Sequence, residues 1–106
     1  IQSNRAGDKM PKYILLMHGD ATIAESHADW EAYIGMLQQS GKFGGGSVIG
    51  GGQTFRKNGT AAPVTEGING YILFTAEDMK AAQAFLGDNP TFKAGGTVEI
   101  RELPEG

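Results

Sequence analysis

Cysteine is absent from this 106-residue chain, so neither a disulfide framework nor thiolate chemistry is open to it. That absence suits a reducing compartment, and a cytoplasmic location is the expectation. No basic run occurs either: twelve acidic against nine basic side chains leave a net charge of −3. A field of that sign opposes nucleic acid and anionic membrane, and neither is expected as a partner. No apolar stretch approaches the roughly 18 residues of a membrane span, and no secretory core is present. The two histidines are separated and no H-x-E motif accompanies them, which falls short of a metal ligand set. Neither a metal nor a cofactor is expected, and no serine stands in the context of a nucleophile elbow.

What remains is the composition of a globular protein, 40% hydrophobic and 20% charged, long enough for one domain. A domain this small buries about two-thirds of its unfolded surface, so a core shared between copies would help it. Ile1 to Lys9 precede the first methionine and read as a leader or remnant outside the fold, with a single domain over residues 10–106.

Lys12 to His18, "KYILLMH", is a short apolar run ended by Gly19-Asp20, as in a central strand buried on both faces. Ser26 to Asp29 forms a capping-box pattern opening a helix to Ser40, with Gly41 as its left-handed C′ residue. Trp30, Tyr33, Ile34 and Leu37 share one face of that helix. Gln53–Arg56 and Ala62–Thr65 flank Asn58-Gly59 and predict a hairpin. Gly70 to Thr75 is the next strand. Thr75 to Asp78 repeats the capping-box pattern and predicts a helix through Leu86, stopped by a left-handed Gly87. Asn89-Pro90 begins one more turn of helix, and Thr97 to Leu103 alternates as a strand, Val98, Ile100 and Leu103 suited to burial and Glu99 and Arg101 to solvent, with strict alternation broken at the last step, Glu102-Leu103.

This order is α+β: a ferredoxin-like βαββαβ unit with an extra hairpin, two helices covering one face of an antiparallel sheet. The first strand is apolar at both parities, so the second face also needs a cover; a twofold dimer packing sheet on sheet would supply it.

Glycine is the residue in excess, with 17 copies, six of them in "FGGGSVIGGG", Phe43 to Gly52. A phosphate loop needs strand, glycine turn and then helix. Here the helix comes first, and no G-K-[ST] follows. A bulged, extended strand is the remaining reading, its glycines admitting a neighbouring backbone or a ligand. Gly45, Gly46 and Ser47 would then shape the floor of a cavity without doing chemistry.

His18 lies at a strand end, where an imidazole held by a carboxylate or carbonyl serves as acid or base; the other reading is a buried imidazole bonded to backbone. Asp20 is a candidate base beside it or a turn residue. Asp88 and Asn89 read as helix caps that could also face a pocket. Trp30 and Tyr33 are core residues or pocket lining. His27, in the first helical turn, reads as solvent-facing.

"MPKYILLMHGD", "WEAYIGMLQQSGKFGGGSVIG" and "GDNPTFKAGGTVEIRELPE" resemble the YCII-related proteins. The resemblance runs from Met10 over nearly the whole chain. It implies the dimeric α+β barrel, two ferredoxin-like units enclosing a barrel, and a small-molecule enzyme. It also implies a histidine–aspartate pair in a pocket, but Trp30 and Asn89 stand in those two positions here, so the pair is not carried over. The expectation is a homodimeric, cofactor-free acid/base catalyst of lyase or hydrolase type acting on an unnamed small molecule, with His18, Asp20 and Asp88 catalytic. Trp30, Tyr33, Gly45, Gly46, Ser47 and Asn89 would bind its ligand. The alternative is a non-catalytic homodimer that binds a ligand or regulatory partner. Whether His18 meets a carboxylate in an open cavity or is sealed in the core separates the two.

Overall fold

A computed structural model describes residues 10–104; the reading of Ile1 to Lys9 as a leader lies outside them. Four strands form one antiparallel sheet: β1 (Lys12–His18), β2 (Phe43–Val48), β3 (Ile68–Thr75) and β4 (Val98–Leu103), in the order β2-β3-β1-β4. Helix α1 (His27–Ser40) joins β1 to β2, and two short helices, α2 (Met79–Ala82) and α3 (Pro90–Lys93), lie between β3 and β4. This is the ferredoxin-like α+β arrangement, with β1 central, as its apolar run predicts, and β3 beside it.

Side chains alternate across a strand, so each parity belongs to one face. Tyr13, Leu15 and Met17 pair in register with Phe74, Ile72 and Gly70, and all of these face the helices. Tyr33 and Leu37 of α1 close the same core, with Leu15 and Leu37 fully buried. Phe74 stacks on Tyr13 and meets Phe85 edge-on. Ile14, Leu16, Tyr71 and Leu73 occupy the other face and are only half-buried. The first strand is therefore sealed on one face within the chain, not on both.

The caps of α1 follow the sequence reading: the Asp29 amide donates to Ser26 Oγ at 3.2 Å, and Gly41 is left-handed at φ 76°. The second helix departs from it. Thr75 is still in the ladder, its N–H bonded to the Lys42 carbonyl, and Ala76 N–H bonds to Pro11. The cap therefore shifts to Asp78, whose carboxylate accepts from the Ala81 amide at 2.8 Å. After Ala82 the chain tightens into a 3-10 turn, Gln83–Phe85. Leu86 stays right-handed (φ −77°, ψ −42°), and the Asn89 amide bonds back to its carbonyl. No left-handed reversal is needed, and Gly87 is not among the positive-φ glycines. Asn89 caps α3 with Pro90 at its first position, as the sequence predicts.

The expected hairpin strands at Gln53–Arg56 and Ala62–Thr65 do not form. The chain does reverse at Asn58-Gly59, with Gly59 at φ 81°, and the Thr54 hydroxyl donates to the Ala62 carbonyl. No ladder follows, because the segment lies on no apolar surface: Phe55 is 85% exposed. Two strands alone are marginal in water.

The glycine run resolves into a bulged edge strand followed by a loop. The register of β2 on β3 slips between Phe43 and Gly45, where Gly45 takes φ 108°. At Gly46 a Cβ would stand 2.5 Å from the Tyr71 carbonyl oxygen, so the neighbouring backbone leaves no room for one.

Candidate functional site

Between α1 and the β2–β3 side of the sheet lies a cavity of about 520 Å³. Met17, Ile34, Phe43, Ile72 and Trp30 wall it, and Glu25 and Thr91 stand beside Trp30. On β3 the helix-facing position Gly70 carries no side chain, and a Cβ there would lie 3.6 Å from the Met17 side chain that walls the cavity. Trp30 and Ile34, one helical turn apart, are correspondingly half-buried, while Tyr33 and Leu37 on the same helix are sealed.

Polar groups reach the cavity from Ser47 of β2, Asn69 of β3 and Thr91 of α3, and from Glu25 in the loop after β1. The Thr22 and Ile23 amides both donate to the Ala94 carbonyl at the end of α3, and the Thr22 hydroxyl joins them at 3.1 Å. This strap brings Glu25 between two elements distant in sequence. Its Oε1 accepts from the Trp30 indole N–H at 2.8 Å, and its Oε2 accepts from the Thr91 hydroxyl at 3.0 Å. A carboxylate whose two oxygens are each held by a donor has a defined direction, which a freely rotating glutamate lacks.

The ligand-binding residues predicted from the sequence fall in three places. Trp30, Gly46 and Ser47 line the cavity. Gly45 marks the bulge beside it. Tyr33 is 2% exposed, and its hydroxyl donates to the Phe85 carbonyl at 2.7 Å. Burial pushes that hydroxyl above the usual tyrosine range, with the Asn89 side chain pulling the other way. Asn89 is fully buried; its Oδ1 accepts from the Phe92 amide, and its Nδ2 has no partner among the described residues.

His18, Asp20 and Asp88 do not converge. His18 is on the open face, its Nε2 3.1 Å from Glu99 Oε1, while Glu99 Oε2 accepts from Arg101 at 3.1 Å. Both partners hold the Glu99 carboxyl below its ordinary range, His18 most strongly. The histidine thus meets a carboxylate, yet it is neither sealed in the core nor inside the cavity. Asp20 ties the end of β1 to the start of β4: it accepts from the Thr97 amide and hydroxyl, each at 2.7 Å. Those two bonds lower its pKa, the hydroxyl contributing most. Asp88 lies near Asp29, Tyr33 and Lys93 at a second, smaller cavity of about 270 Å³. His27 is in solvent, 3.7 Å from Glu31.

Sequence reasoning missed Glu25, Thr91 and Glu99. Glu25 immediately precedes an N-cap and belongs to no motif; only the fold brings Thr91, 66 residues away, to its carboxylate. Glu99 is a regularly alternating outward residue in the sequence, and pairing of β1 with β4 is what sets it opposite Leu16, close to His18. Among the described residues no group of His, Cys, Asp and Glu is arranged to hold a metal ion, and no helix is long and apolar enough to cross a membrane.

No curated protein matches the sequence. A family model, that of the YCII-related domain, matches residues 10–105. That span takes in the whole four-stranded sheet, its helices and the cavity between them, and the chain belongs to the YCII-related family.

Proposed function

We propose that this YCII-related chain binds a small, mostly apolar molecule in the cavity between α1 and the β2–β3 side of the sheet. The observation that carries the reading is an apolar space of about 520 Å³ with one directed carboxylate, Glu25, at its polar end. Ligand sites commonly combine an apolar wall of this volume with a few fixed polar groups. The protein acts as a homodimer, with Ile14, Leu16, Tyr71 and Leu73 of each copy covering those of the other, since an unpartnered sheet face of this kind is costly in water.

A second reading, cofactor-free acid/base catalysis of lyase or hydrolase type, has Glu25 rather than His18 as its proton acceptor. It is favoured by the way both Glu25 oxygens are held by neutral donors, leaving a lone pair on each for a substrate proton. Binding without turnover is preferred because neither histidine lies at the cavity to act as the matching acid.

Amide and indole N–H shifts test the site. Titration with 2-phenylethanol, a neutral aromatic probe, is expected to move the signals of Trp30 Nε1–H, Gly46 and Gly70 saturably. The signals of His18 and Glu99 should stay in place. Shifts confined to the His18 face, or no shifts at millimolar probe, would overturn the assignment of the cavity.

A further inference from the structure

We propose that the cavity selects a cation, an organic amine or quaternary ammonium carrying an apolar or aromatic tail, with Glu25 as its counter-charge. The inference rests on the cavity being the ligand site and specifies what that site accepts.

Charge is the first ground. Among the described residues, Glu25 is the one charged side chain that lines the cavity, and no lysine, arginine or histidine lines it. Its two hydrogen bonds come from an indole N–H and a hydroxyl, donors that direct a carboxylate without cancelling its charge. Two other carboxylates have cationic partners instead. Asp29 has Lys93 at 3.4 Å, and Glu99 has Arg101 and His18 at 3.1 Å. Glu25 therefore presents, at the exposed rim of a mostly apolar space, an oriented negative charge uncompensated by either of its two partners. A phosphate or carboxylate ligand would meet repulsion there, whereas an ammonium would gain a charge-assisted hydrogen bond.

The walls are the second ground. Trp30 and Phe43 both line the cavity, and the indole belongs to the same residue that orients Glu25. An aromatic face attracts a cation through its quadrupole, most strongly for tryptophan, and a partly desolvated site strengthens that attraction. Met17, Ile34 and Ile72 supply the apolar surface a hydrocarbon tail would cover. The cavity volume of about 520 Å³ leaves space for an aromatic ring with a short chain.

Three probes of nearly one shape separate the possibilities: 2-phenylethylamine, 2-phenylethanol and phenylacetate, titrated at pH 7 against fluorescence of Trp30, the one tryptophan of the chain. The amine is expected to bind roughly tenfold more tightly than the alcohol, and phenylacetate more weakly than either. In Glu25→Gln, which keeps an acceptor for Trp30, the amine's advantage over the alcohol should fall below about twofold. Circular dichroism on that variant checks that the fold is intact. Equal binding of amine and alcohol would overturn the cation inference and leave the cavity as a ligand site. Tightest binding of phenylacetate, or an amine preference that survives Glu25→Gln, would overturn it as well. If none of the three binds, the ligand-site reading fails together with it.

Discussion

The two faces of the sheet are made of similar residues and meet different surroundings. On one, Tyr13, Leu15, Ile72 and Phe74 are at most 3% exposed, covered by Tyr33 and Leu37 of α1. On the other, Ile14, Leu16, Tyr71 and Leu73 are half-buried, and His18, Glu99 and Arg101 stand among them as a linked polar row. Hydrophobicity alone does not separate Leu15 from Leu16. What separates them is that the 3.6-residue repeat of α1 presents its apolar stripe to one parity of β1. The first face is the core of a single chain; the second, apolar at its centre with charges at one end, is the face we propose as the dimer contact.

Truncating the covered face should have the largest effect. Leu15→Ala removes a side chain that is fully buried, and denaturant unfolding should show a loss of about 2–5 kcal/mol. A loss below 1 kcal/mol would mean that the helix layer is far looser than its contacts imply.

The open face should respond in assembly rather than in fold. Light scattering of the native chain at micromolar concentration should give about twice its 11.2 kDa mass. Leu16→Glu places a charge in the middle of the proposed contact. It should return the mass to that of one chain while costing the fold about 1 kcal/mol or less. A native chain that runs as a monomer removes the homodimer; a Leu16→Glu variant that stays dimeric places the contact elsewhere.

The smallest effect belongs to the polar row. The folded-state pKa of Glu99 is depressed, so its contribution to stability is present in full above the ordinary glutamate value of 4.5 and is lost as pH falls through the lower folded value. Melting temperatures of the native chain and Glu99→Gln should therefore differ at pH 6 and converge toward acid. A gap that widens on acidification would reverse the sign of the His18–Glu99 interaction. Because both side chains are about one-third exposed, the difference should be modest.

The local elements were legible where one stretch of chain contains its own cause. Ser26 and Gly41 bound α1, Asn89 and Pro90 start α3, and the glycines after Phe43 make a strand rather than a phosphate loop. The errors arose where a neighbour outweighed a local pattern. Thr75 carries a capping sequence, but the ladder with β1 and the bond to Lys42 keep it in the strand, so Asp78 takes the cap. Asn58-Gly59 does turn the chain, yet its flanks find no surface on which to become strands.

By itself the sequence determined the α+β class, the order along the chain of the four strands that form, and the end points of α1. These follow from caps, turn residues and apolar periodicity, all of which act over a few residues. Only the tertiary structure decided which parity of β1 is sealed and which candidates meet. His18 was legible as a strand-end histidine, but its partner Glu99 is 81 positions away. Glu25 had no local signature at all. Its setting comes from the strap onto Ala94, which brings Trp30 and Thr91 to the same carboxylate. A site assembled from a loop, two helices and a sheet is a property of their packing, and no stretch of chain encodes it alone.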